Sequence, residues 1–88
     1  MNRLRAKALV LGADGFKPST RKGKKYMVSY GGRWIHFGAA GMSDFTIHKD
    51  KERRARYRAR HGKIKLQNGR LAYTVPTSPA YWSWRILW

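Results

Sequence analysis

The 88-residue chain has no cysteine, only four acidic residues and three prolines, and no apolar run near the ~20 residues that a membrane span requires. Without cysteine, neither a disulfide framework nor a thiolate zinc site can staple the core. A chain of this length forms one small domain and buries only about 60–65% of the surface its unfolded form exposes. The early run "ALVLGA" follows "MNRLR" like a secretory signal but is too short and lacks a cleavage region.

The shortage of acids also limits chemistry, because paired-carboxylate catalysis needs carboxylates to pair. His36, His48 and His61 are the good nitrogen ligands, and Asp44 and His48 share i,i+4 spacing, yet no third ligand stands at a recognised interval. Ser43, His48 and Asp50 lack a nucleophile elbow, and "GADG" and "GAAG" lack the strand, helix and lysine of a phosphate loop. No catalytic activity, metal or cofactor is therefore expected.

What the chain has in excess is positive charge. Twenty Lys and Arg give a formal charge of +16, a density that repels itself and attracts polyanions or strongly acidic protein surfaces. The charge falls in two blocks, residues 1–25 with eight basic residues and residues 49–65 with nine, whereas residues 66–88 contain only Arg70 and Arg85. Residues 1–23 read as a basic arm: "KALVL" could form a short strand, and "GADGFKPSTRKGKK" has the composition of a loop.

Residues 24–88 are expected to form a small single α+β domain with a β-hairpin, a basic helix and a C-terminal aromatic helix or turn. In "KKYMVSYGGRWIHFG", Gly31-Gly32 predicts a two-residue turn that sets Tyr30 opposite Arg33, Val28 opposite Ile35 and Tyr26 opposite Phe37. Tyr26, Val28, Ile35 and Phe37 then share one face, and Met27, Trp34 and His36 the other. Asn68-Gly69 gives a weaker hairpin signal that would pair Leu66 with Leu71 and Ile64 with Tyr73. Ser78 and Pro79 are suited to the cap and first position of a terminal helix.

In "SDFTIHKDKERRARYRARHG", Ser43 or Asp44 can cap a first turn and Asp50 a helix over about 50–61, with Gly62 as its stop. At ~100° per residue, Arg53, Arg56 and Arg60 fall on one ridge and Lys51, Arg54 and Arg58 on another. Ala55 and Ala59 form a narrow stripe opposite, predicted to be the packing face. Arg53, Arg54, Arg56, Arg58 and Arg60, with Lys63, are the candidate ligands for phosphates or carboxylates, which planar guanidinium groups bind in bidentate fashion. The helix offers no Asn or Gln for reading adenine, so base-specific readout is not indicated.

The last eight residues, Tyr81 to Trp88, are apolar on nearly every side and hold three of the four tryptophans. A helix apolar all round needs neighbours all round, so a free monomer is expected to expose a large patch. Tyr81, Trp82, Trp84 and Trp88 are thus candidate anchors for a protein partner, half core and half interface.

Taken in order, "KKYMV", "IHFGAAGMSDFTIHKDKERRARYRARH" and "SPAYWSWRILW" resemble a family of small basic proteins of large double-stranded DNA viruses and some phages, over residues 24–88. The matching positions are Phe37, Gly38, Asp44, Phe45, His48, Asp50, Arg53, Arg54, Tyr57, Arg60, His61, Tyr81, Trp82 and Trp88. The resemblance implies a virion context. The expectation is a minor capsid protein, present in many copies at the inner surface of the shell, that cements capsid shell proteins and faces acidic protein or packaged double-stranded DNA. The alternative is a free-standing, nonspecific nucleic-acid-binding protein, viral or ribosomal.

Overall fold

The computed structural model describes residues 2–88; Met1, the first residue of the expected arm, lies outside the described residues. Its elements run α1 (Asn2–Val10), β1 (Gly15–Pro18), β2 (Lys24–Tyr30), β3 (Arg33–Ala39), α2 (Phe45–His48) and α3 (Lys51–His61). A short 3-10 turn (Ala72–Thr74) follows, then α4 (Pro79–Trp82), which continues as a π-helical stretch (Ser83–Leu87). The fold is a small α+β domain, a three-stranded antiparallel sheet in the order β1-β2-β3 with helices packed on it.

The β2–β3 hairpin has the predicted register: Tyr30 opposes Arg33, Val28 opposes Ile35 and Tyr26 opposes Phe37. Its turn needs positive φ at both central residues, and Gly31 and Gly32 supply φ of 60° and 81°. The sheet's inner face carries Phe16, Tyr26, Val28, Ile35 and Phe37, and Ala8, Trp82, Ile86 and Leu87 close over it.

The arm is corrected. Residues 2–10 are helical because Ala, Leu, Arg and Lys are strong helix formers and Val10 is the lone β-branched residue among them. Leu4, Ala8 and Leu11 recur at helical spacing, and Ala8 is fully buried in the core. Within the expected loop, Gly15–Pro18 pairs with Tyr26–Ser29, and Phe16 enters the core opposite Val28. A boundary at residue 24 therefore cuts through one sheet. With a single inward apolar residue and an edge proline, β1 carries little local strand signal.

The Asn68-Gly69 segment is offset by one residue from expectation. Lys65 bridges Leu71, Leu66 N donates to Arg70 O at 2.8 Å, and Ala72 N donates to Ile64 O at 2.9 Å. Asn68 Oδ1 accepts from Arg70 N at 3.0 Å, which places Asn68 third in a turn from Leu66 to Gly69 and leaves the positive φ to Gly69 alone. That one-residue shift exchanges the faces of the flanking side chains.

The tail turns inward. Ser78 caps α4 by accepting from Ala80 N, with Pro79 next, as predicted. Trp82, Ile86 and Leu87 are at most 2% exposed, and Trp82 Nε1 donates to Pro76 O at 2.7 Å. Trp82 is buried and Tyr81, Trp84 and Trp88 are half-buried, because the tail lies between the sheet and α3 and finds most of its neighbours within the same chain.

Candidate anion-binding cleft

Two carboxylates organise the segment that carries the arginines. Asp44 caps α2, its Oδ1 accepting from Thr46 N at 2.9 Å and from the Thr46 hydroxyl, while its Oδ2 pairs with Lys25 Nζ. Asp50 caps α3, accepting from Glu52 N at 2.9 Å and Arg53 N at 3.3 Å. The Arg53 N–H, first among these influences, holds the Asp50 carboxyl below its ordinary value. Between the two caps Lys49 takes a left-handed φ of 57°, which turns α3 away from α2.

The packing face of α3 is not the alanine stripe. Ala55 and Ala59 are exposed, and Tyr57 is the one buried residue of the helix. Its ring stacks on Trp88 at 4.3 Å and 5° and on His61 at 4.0 Å and 20°. A large flat ring meeting the aromatic tail removes far more apolar surface from water than two methyl groups can. Burial pushes the Tyr57 phenol up, with Ser83 and Arg60 pulling the other way. Burial and the Arg60 charge push the His61 imidazole down.

Docking through Tyr57 divides the arginines into two groups. Arg54 lies 4.2 Å over the Phe45 ring; Arg58 lies 5.2 Å over Trp84 and donates to Trp88 O at 3.1 Å. These two are held by the domain itself. Arg53, Arg56 and Arg60, the other predicted ridge, line a cleft of about 500 Å3 together with Lys24, Lys25, Asp44, Tyr57, His61 and Trp88. Lys63 is exposed and does not line the cleft.

Lys25–Asp44 is the one ion pair among the described residues; Asp44 lines the cleft too, engaged by Lys25 and by its cap on α2, and Arg53, Arg56 and Arg60 form no ion pair. Like charges at i,i+3 and i,i+4 cost a helix about 0.2–0.5 kcal/mol per pair, so Arg53–Arg56, Arg56–Arg60 and Arg54–Arg58 together cost about 1 kcal/mol. A bound anion would offset that repulsion. No group of His, Asp and Glu that could hold a metal occurs among the described residues.

The tail residues predicted to anchor a partner are engaged internally. Trp82 is fully buried; Trp84 stacks on Tyr73 at 4.1 Å, Trp88 on Tyr57, and Tyr81 lies 3.9 Å under the Arg85 guanidinium. Lys24 and Lys25 were not singled out from sequence. They lie about thirty residues from the arginine ridge, and only the fold sets them opposite it.

No curated protein and no solved structure matches the chain. A family match covers residues 15–61, more than half of the 88. It starts at β1, nine residues before the resemblance noted above, and ends with α3, so it contains the whole sheet and the arginines and lysines of the cleft, while the tail residues that line it, Trp88 among them, lie outside the match. The chain belongs to this family, DUF5754, a family of unknown function.

Proposed function

We propose that the protein is a nonspecific nucleic-acid-binding protein that grips the phosphate backbone in the cleft between α3 and the open end of the β2–β3 hairpin. The observation that carries this reading is that three arginines, Arg53, Arg56 and Arg60, share a cleft with Lys24 and form no ion pair among the described residues, the one acid of that cleft, Asp44, being paired with Lys25. Planar guanidiniums suit phosphate oxygens, and the net charge of +16 adds a long-range attraction to any polyanion. The resemblance to small basic proteins of DNA viruses makes packaged double-stranded DNA the natural source of the phosphates.

The test is a titration with duplex DNA at several salt concentrations. Four cleft cations neutralising four phosphates give a log–log slope of roughly −3.6, at about −0.9 per phosphate. Replacing Arg53, Arg56 and Arg60 together by Gln should weaken the slope by about 2.7. No binding at low salt overturns the proposal.

A second reading, the minor capsid protein that cements shell subunits inside a virion, now has a different anchor. Val10 is 88% exposed and Leu9 49% exposed, and Val10, Ala6 and Leu11 line an apolar groove with Arg3, Lys7 and Arg85, whose guanidinium is turned to Tyr73 O and the Tyr81 ring. An apolar strip beside Arg3 and Lys7 suits an apolar shell-protein surface edged with acids. Retention in nuclease-treated, opened particles would favour this reading; release by nuclease would favour the first.

A further inference from the structure

Every aromatic side chain among the described residues is buried or half-buried except one. Trp34, on β3, is 44% exposed on the outer face of the sheet. Its position is built rather than incidental. Trp34 opposes Ser29, which in turn opposes Gly15, so the indole reaches across a row of two small residues. A Cβ on Gly15 would come within 3.3 Å of Trp34 Cη2, which places the far edge of the indole against the Gly15 backbone.

The next row on this face is Lys17, Met27 and His36. Lys17 Nζ stands over the Trp34 ring at 4.7 Å from its centroid. His36, two residues along the same strand and about 6.6 Å away by strand rise, is held through Nδ1 by the Ser19 hydroxyl at 2.7 Å. Lys25 lines the arginine cleft instead, its ammonium paired with Asp44. Lys17 is thus the cation that stands beside the one exposed aromatic ring on this face.

We propose that this outer sheet face is a stacking platform for single-stranded nucleic acid, with one base on Trp34 and a neighbouring backbone phosphate on Lys17. The inference rests on the nucleic-acid reading above and adds to it the form of the ligand. Phosphate clamping alone accepts duplex and single strand alike and has no use for an exposed indole, whereas unpaired bases need a flat apolar surface beside a basic track. When a base lies on the ring, the Lys17 ammonium gives up its cation–π contact and gains a phosphate oxygen.

Equilibrium titrations of the full chain with oligothymidylate, with an abasic oligonucleotide of equal length and with a duplex, at one salt concentration, test the platform. The expected result is tighter binding of oligothymidylate than of the abasic strand, with Trp34→Ala lowering the former by about 5- to 150-fold, the range for losing one base–aromatic stack. Duplex and abasic affinities should not change, and Trp34→Phe, which keeps a ring, should retain most of the preference. Equal affinity of the wild type for oligothymidylate and the abasic strand overturns the platform while leaving the phosphate cleft standing. So does an equal loss on all three ligands in a folded Trp34→Ala variant. Failure to bind any of the three removes both readings.

Discussion

Truncating Tyr57 to alanine probes how α3 is attached to the rest of the domain. The ring is the one buried side chain of the helix, stacked between Trp88 at 4.3 Å and His61 at 4.0 Å. Removing a buried aromatic ring costs about 3–5 kcal/mol, in which transfer and cavity terms are already combined. At about 0.05–0.15 kcal/mol per residue, a chain of this size has roughly 4–13 kcal/mol in all. The loss is thus about a quarter of the total or more. At about 4–8 °C per kcal/mol for a domain of this size, the melting temperature should fall by at least ~12 °C.

The assay is thermal denaturation followed by far-ultraviolet and near-ultraviolet circular dichroism, with Ala55→Glu as the comparison. Ala55 is exposed, so that variant should remain within about 0.5 kcal/mol of the wild type. The near-ultraviolet signal should report loss of the Tyr57–Trp88 stack in Tyr57→Ala and no loss in Ala55→Glu. A Tyr57→Ala protein melting within a few degrees of wild type, together with a strongly destabilised Ala55→Glu, would show that the helix docks through its alanines and refute the reasoning.

The Gln triple variant at Arg53, Arg56 and Arg60 should melt slightly higher than the wild type while binding duplex DNA more weakly, because it relieves intrahelical repulsion and removes the anion ligands. Gly38→Ala should shift the urea midpoint down: Gly38 has φ of 80°, and an added Cβ would stand 2.9 Å from Leu87 Cδ1 and 3.2 Å from Lys25 Cβ. The left-handed backbone alone costs a non-glycine residue about 1–2 kcal/mol. Stability should decline as pH falls below 6.5, the ordinary imidazole value, since both His36 and His61 are held below it in the fold. Burial is the first cause at each, joined by Arg21 and Lys24 at His36 and by Arg60 at His61. The unfolded chain then binds more protons than the folded one, so the stability present above 6.5 is lost as pH falls through the folded values. Denaturation midpoints from pH 7.5 to 5 measure it, and a flat profile would contradict it.

The parts of the fold legible in the sequence are those fixed by neighbours in the chain. Gly31-Gly32 and the alternation around it set the hairpin register; Asp44, Asp50 and Ser78-Pro79 mark the helix starts; helical spacing separates the Arg53 ridge from the Arg54 ridge. What was missed depends on residues far apart. The strand at Phe16 exists because Val28 lies beside it, and α1 is fixed by the core that receives Ala8. The terminal tryptophans were correctly read as needing cover on all sides, but their cover is Tyr57 and Tyr73, which no local pattern assigns to them.

Turning the tail inward changes what the protein needs from a partner. With Trp82, Ile86 and Leu87 buried and Trp84 and Trp88 stacked, the domain completes its own core. What it does not complete is its charge. Two of the four carboxylates cap helices, Asp44 on α2, where it also pairs with Lys25, and Asp50 on the first N–H groups of α3, and Glu52 stands in the first turn of α3. None of them forms an ion pair with Arg53, Arg56 or Arg60, although Glu52 stands one helical turn from Arg56 and could have been placed to neutralise the ridge. The two capping acids therefore position the helix that carries the arginines without pairing with Arg53, Arg56 or Arg60, which keep their charge outside any ion pair among the described residues.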